Sequence, residues 1–304
     1  LATLKKGKKL AGETAFKLYD TFGFPLDLTQ DILRGRGLAV DTDGFDAAME
    51  RQREKGRESW TGAGEAVNEA VWLSIQGRVR GNEFLGYGAE AGEGALVAIV
   101  ARGEEAREVR AGESAALIFD QTPFYAESGG QSGDHGLIRF ANGAEFVVED
   151  TQKHAGSLHA HIGKLTKGAI KVGDGASLEI DHARRQAIRA NHSATHLLHA
   201  ALRNALGAHV TQKGSLVEAD RFRFDFSHGQ ALTQVELDLV EDQVNAVIRQ
   251  NAEGVIKEMS PEKAIAEGAL ALFGEKYGAS VRVLKLGDGP DGKPYSVELC
   301  GGTH

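Results

Sequence analysis

The stretch Arg184–Gly207, RRQAIRANHSATHLLHAALRNALG, decides how the chain is read. Ile188, Leu197, Leu198, Ala201, Leu202 and Leu206 recur at helical spacing, and Gly207 stands just beyond the last turn. The pattern predicts one helix of about six turns. Within it, Asn191–Ala200 carries three histidines, His192, His196 and His199. Residues i and i+4 share a helix face, so His192 and His196 can point two imidazoles at one ion. Ser193 stands where the glutamate of an HExxH motif would be, which argues against a zincin-type protease.

Two ligands do not make a zinc site. The complement lies at Cys300–His304, CGGTH, where a thiol and an imidazole are four residues apart in a Gly-rich turn after a strand-like run. One thiolate and three imidazoles form a tetrahedral set of borderline-soft ligands, and Gly301 and Gly302 let the backbone fold around an ion. An HxxxH pair is, by itself, more often an ordinary helical pair than a site. With Cys300 as the single cysteine among 304 residues, metal binding and a chance cluster stand about level on the chemistry alone.

Working outward, the third zone (181–304) reads as α+β. SLVEADRFRFDFSH alternates as one strand with Phe222, Phe224 and Phe226 on one face, and a helix is predicted over Thr233–Asn251. Ser260-Pro261 opens another helix, and SVRVLKLG and YSVELC are strands joined by DGPDGK. The second zone (71–180) is Gly-rich, with short runs such as ALVAIVA, SAALIFD, GLIRFA, EFVVEDT and SLHAHIG at the spacing of a small barrel or sandwich, and is expected to be all-β. Its segment QTPFYAESGGQSGDHG is a turn or a close backbone approach around Gly129, Gly130 and Gln131. The first zone (1–70) reads as helical, with GETAFKLYDTFG stopped by Gly23, DLTQDILRG capped by Asp27, and a helix over Phe45–Trp60.

The net charge of −8 excludes a non-specific polyanion binder with a basic surface, so any nucleic-acid contact rests on local patches. Candidate patches are Lys5–Lys9, the trio Arg184, Arg185 and Arg189, and the pair Arg221 and Arg223. No run approaches a membrane span and no leader is seen, so the expected location is the cytoplasm without membrane contact, and the lone cysteine fits a reducing compartment. The chain starts at Leu1 and stops after a glycine pair and Thr303-His304, and so reads as a piece of something longer.

Taken in order, GETAFKLYDTFGFPLDLT, QTPFYAESGGQSGDHG, RANHSATHLLHAALRNALGAHVTQKGSLV, RFRFDFSH and CGGTH closely resemble the bacterial alanyl-tRNA synthetase family. The resemblance covers most of the chain, from the end of the tRNA-recognition region through a β-barrel to the editing core. It implies a multidomain α+β fold: a helical segment (1–70), a small antiparallel β-barrel (71–180), and a zinc-containing editing core with long helices packed on a sheet (181–304).

The implied activity is hydrolysis of the ester joining a wrongly attached serine or glycine to alanine tRNA. Such a second sieve is useful because a methylene more or less is worth only ~1–3 kcal/mol in binding. The resemblance assigns one zinc ion to His192, His196, Cys300 and His304, an editing role to Gln212, and contact with the serine side chain to Thr211. His199 falls to a packing or supporting role. Arg184, Arg185 and Arg189 would meet phosphates of the acceptor end, the Gly129–Gln131 loop would line the cleft from the barrel side, and Lys5–Lys9 would lie near the tRNA body.

Four protein ligands are the closed pattern of a structural ion. Either one ligand is displaced by substrate, or the ion positions the terminal adenosine while a water held by polar side chains attacks. No ATP-binding signature is present, so neither an ATP site nor alanine activation is expected; pyrophosphate exchange would test this. The helical prefix argues against a free-standing deacylase, and a zinc-stabilised tRNA-binding module without hydrolysis is the rival of a different class. The oligomeric state is not readable from the sequence.

Overall fold

The computed structural model describes residues 9–22, 26–34, 38–59, 69–79, 81–270, 278–289 and 292–304. The chain divides into two compact units, Leu1–Val67 and Asn68–His304.

In the first unit, helices α1 (Gly12–Phe22), α2 (Leu26–Arg34) and α3 (Thr42–Ser59) accompany a short parallel pair, β1 (Lys9–Leu10) and β2 (Ala39–Val40). Leu10, Ala15, Leu33, Val40 and Phe45 form its core. The expected stops at Gly23 and Gly35, and Lys5–Lys8 of the basic run, lie outside the described residues; Lys9 is exposed.

The second unit opens with α4 (Glu69–Val79), which corrects the reading of 71–180 as all-β. Trp72 and Ile75 bury one face of α4, and Trp72 stacks flat on His154 with ring centroids 4.0 Å apart. The strands that follow are β3 (Glu83–Phe84), β4 (Ala91–Ala101), β5 (Glu104–Ala106), β6 (Glu108–Arg110), β7 (Ser114–Phe119), β8 (Gln121–Thr122), β9 (Gly136–Phe140), β10 (Glu145–His154), β11 (Leu158–Lys167), β12 (Ala169–Lys171) and β13 (Gly175–Ile180). Six of them run β13-β9-β10-β11-β7-β4, all antiparallel, and β13 pairs back onto β4, closing a barrel rather than a sandwich. Alternation explains the closure: in β13, Ala176, Leu178 and Ile180 point inward and their neighbours outward. Leu96, Phe119, Phe124, Ile138 and Phe146 fill the interior.

From the barrel the chain passes directly into α5 (His182–Leu206). Asp181 caps it by accepting from the Arg184 amide, and Gly207 ends it at φ 113°. Strands β14 (Gln212–Val217) and β15 (Phe222–Phe226) form a hairpin, so SLVEADRFRFDF is two strands, not one: Glu218 N donates to Arg221 O at 2.9 Å and turns the chain. Helix α6 (Gln234–Gln250) has a complete capping box from Thr233 and Glu236 and a left-handed Asn251 at its end. Strand β16 (Val255–Met259), helix α7 (Pro261–Ala266), β17 (Val281–Asp288) and β18 (Pro294–Leu299) complete the fold, the strands pairing as β16-β17-β18. Leu197 of α5 and Val247 of α6 pack on Leu284 and Leu286 of β17, so the two long helices lie on this sheet. Among the described residues, no helix is long and apolar enough to cross a membrane.

Candidate metal centre and cleft

On α5, i and i+4 spacing places the rings of His192 and His196 in a stack with centroids 5.1 Å apart. Strand β18 delivers Cys300 beside them, and the turn Gly301-Gly302 brings back His304, whose ring lies 4.3 Å from that of His192. One ligand atom from each of His192, His196, Cys300 and His304 lies within 4.8 Å of all the others. Cys300 Sγ is 3.5 Å from His192 Nε2 and 3.2 Å from His304 Nε2. Atoms sharing a tetrahedral ion at 2.0–2.3 Å sit roughly 3.3–3.8 Å apart, so these edges suit a metal.

The far nitrogens show how the rings are aimed. His196 Nδ1 donates to Glu298 Oε2 at 2.7 Å, His192 Nδ1 to Gln131 Oε1 at 2.8 Å, and His304 Nδ1 lies 3.1 Å from Ser193 Oγ. A carboxylate only accepts, so His196 carries a proton on Nδ1 and turns its Nε2 inward, towards the other three residues. That Nε2 is buried with no partner among the described residues, an atom that a metal would satisfy. Outer acceptors of this kind fix tautomer and ring orientation in metal sites. The residues present therefore fit a metal ion.

The electrostatics agree. Burial disfavours charge on both Cys300 and His196. The imidazoles of His192, His196 and His304 around the sulfur outweigh it at the thiol, which is held well below its usual value, and the nearby Cys300 sulfur together with the bond to Glu298 pushes His196 up to about 10. Burial dominates at His304, which falls to about 4. The imidazoles around the sulfur thus favour its deprotonated form, the form that ligates a metal.

His199 stands outside the cluster: its Nδ1 donates to Glu298 Oε1 at 2.9 Å, and its ring faces Phe224. Glu298, which the sequence reading missed, thereby bridges two helix residues; both histidine contacts hold its carboxyl down at about 2 against the opposing effect of burial. Its signal was period two along β18, which puts Glu298 and Cys300 on one face.

The cluster lies in a cleft of about 1210 Å³ whose walls include Ser128, Gly129, Thr211, Gln212 and Ser215. Thr211 Oγ1 is 2.8 Å from Ser227 Oγ. Gly129 lines the cleft, but Gln131 does not: it is fully buried behind His192, accepts from Thr303 N at 3.0 Å and donates to Thr303 Oγ1 at 2.9 Å. Gly130 has φ +87°, and a Cβ there would meet Ser215 O at 2.6 Å. This close approach lets Gly130 O accept from Val217 N at 2.7 Å, zipping the barrel loop to the hairpin.

The three arginines expected to meet phosphates are placed unequally. Arg185 is fully buried, paired with Asp134 and donating to Gly86 O and Pro123 O at 2.9 Å each, so no phosphate can reach it. Arg189 is largely covered and paired with Glu90 at 3.1 Å. Arg184 is partly exposed, and Arg221 and Arg223 pair with Glu218 and Asp225.

Residues 1–184 match the family model of tRNA synthetases class II (A). The chain is 60% identical to the alanine–tRNA ligase of Hyphomonas neptunium over 302 residues, covering 99% of this chain and 34% of the relative. It is 59% identical to that of Parvibaculum lavamentivorans (97% of this chain, 33% of the relative) and 56% identical to that of Rhodopseudomonas palustris (100% and 34%). The chain thus spans about a third of the length of the curated relatives it matches. With a matched region reaching into the start of α5 and relatives of one kind along its whole length, the chain belongs to the tRNA synthetases class II (A), in the company of the alanine–tRNA ligases.

Proposed function

We propose that this chain hydrolyses the aminoacyl ester of alanine tRNA wrongly charged with serine or glycine. The observation that carries the reading is one thiol and three imidazoles converging in a cleft whose wall holds Thr211 and Gln212. His192, His196, Cys300 and His304 would hold zinc, which when bound supplies a fixed positive charge able to orient polar groups of the terminal adenosine. Four protein-derived ligands match the closed pattern, so the attacking water is held by side chains of the cleft. Gln212 orients that water or the ester; its amide is neutral and does not take the proton. The Thr211 hydroxyl, already near Ser227 Oγ, offers a polar partner to a serine side chain.

Deacylation of serine-charged alanine tRNA tests this reading. Gln212→Ala should slow ester loss by about 10²-fold with zinc content unchanged by metal analysis. Zinc lost along with activity would show that Gln212 has been given the wrong role. The closed donor set also favours a second reading, a zinc-stabilised tRNA-binding module without hydrolysis. Binding of the charged tRNA with no ester loss above the uncatalysed rate would select it.

A further inference from the structure

The chain carries a net charge of −8, yet among the described residues lining the cleft Glu298 is the only carboxylate, against Lys153, Arg203, Lys213 and Arg282. Glu298 is occupied by His196 and His199. Arg203 is occupied too, donating to Ala208 O and Val210 O. The other three have no carboxylate within ion-pair distance among the described residues. Lys153 on β10 and Lys213 on β14 are exposed, and Arg282 on β17 lies over the ring of Tyr87, 3.2 Å from its centroid. They come from the barrel, the hairpin and the sheet, so they surround the cleft from three sides. Arg282 is one hydrogen bond from the metal cluster, its carbonyl accepting from Cys300 N at 3.0 Å.

Cations left unneutralised around a cleft, in an acidic chain, concentrate positive potential where a polyanion must enter. We infer that Lys153, Lys213 and Arg282 bind backbone phosphodiesters of the single-stranded RNA end that leads into the cleft. The Tyr87 ring holds the guanidinium by a cation–π contact. These residues take the role the sequence reading gave to Arg184, Arg185 and Arg189. The identity of the RNA rests on the function proposed above; the location of the phosphate contacts does not.

The test is fluorescence anisotropy of the full chain with a 5′-fluorescein RNA hairpin bearing a four-nucleotide single-stranded 3′ end, titrated at several salt concentrations. Each phosphate contact on a single strand contributes about 0.7 to the slope of log Kd against log salt. The K153Q/K213Q/R282Q variant should lower that slope by about 2 and weaken binding at least about tenfold at 0.1 M salt. Arg282→Lys should keep its share of the slope, and Arg184→Gln should leave the slope as it is. If the triple variant fails to fold, Lys153→Gln and Lys213→Gln at their exposed positions should each lower the slope by about 0.7. An unchanged slope in these variants, a fall caused instead by Arg184→Gln, or no binding of the hairpin by the unaltered chain would overturn the inference. A lowered slope in a chain that does not deacylate would uphold the phosphate site and defeat the hydrolytic reading.

Discussion

Glu298 holds two histidines with one carboxylate, each oxygen taking one Nδ1 proton at 2.7 and 2.9 Å. Glu298→Gln keeps the shape but leaves only one oxygen to accept, so either His196 or His199 loses its anchor. Metal affinity is expected to fall by about 10- to 100-fold, measured by competition with a chromophoric chelator. A second residue-scale case lies in the barrel. His161 is fully buried, donating from Nδ1 to Leu117 O at 2.8 Å, while its Nε2 meets the Thr122 hydroxyl at 2.7 Å. Thr122 Oγ1 already accepts from Phe124 N, so its proton is free to point at Nε2 and the neutral ring is satisfied at both ends. Burial pushes His161 down to about 4. The folded value lies below the unfolded 6.5, so the neutral ring's contribution is complete above about pH 6.5 and is lost as the pH falls towards 4, about 3 kcal/mol in all. The difference in urea midpoint between pH 7.5 and 4.5 should shrink in His161→Gln. It should not vanish, because burial takes His159 to about 4 as well. The four clustered residues were legible as two sequence-distant pairs. Glu298 was legible only as sharing a strand face with Cys300; that it holds two histidines shows only once its neighbours on α5 are known.

At the scale of elements, α5 and α6 were legible to within a residue or two because their punctuation is chemical. Asp181 and Gly207 bracket α5, and Thr233, Glu236 and Asn251 bracket α6. The capping box is expected to matter in proportion: Thr233→Ala should cost about 1 kcal/mol, seen as faster amide exchange in the first turn of α6. Helix α4 escaped because EAVWLSIQGRV combines β-type residues with Gly77 and shows no strong face in the sequence. Strand β16 escaped for the opposite reason: VIKEM is exposed along most of its length, so its alternation reports no buried side. The hairpin was merged into one strand because the period of two continues through Val217 and resumes at Phe222, and only the hydrogen bond from Glu218 to Arg221 interrupts it.

For the second unit as a whole, the barrel and the α+β part are joined by a buried ion pair. Arg185 on α5 enters the barrel side and meets Asp134, whose carboxylate also accepts from Tyr125 N at 2.7 Å. Arg185→Leu would leave Asp134 charged and buried without its cation, and is expected to cost about 3–5 kcal/mol. Thermal denaturation should show the barrel and α5 losing stability together, and chelator should strip metal faster from the same variant. A barrel was expected over 71–180, but the strand pair that closes it, β13 on β4, and this ion pair were not legible, since both join residues far apart in sequence without any local mark. Basic residues near a candidate site looked alike in sequence; burial separated Arg185 from Lys213.

The direct step from Ile180 through Asp181 into His182 has a consequence for divisibility. The barrel contributes Gln131 to His192, and Asp181 N donates to His135 O at 2.8 Å, so the boundary is a joint and not a hinge. A gene split at this point would produce two pieces, one with an unmatched acid at Asp134 and one with an unaimed imidazole at His192. Transplanting the histidine helix into another protein would therefore have to carry the barrel with it.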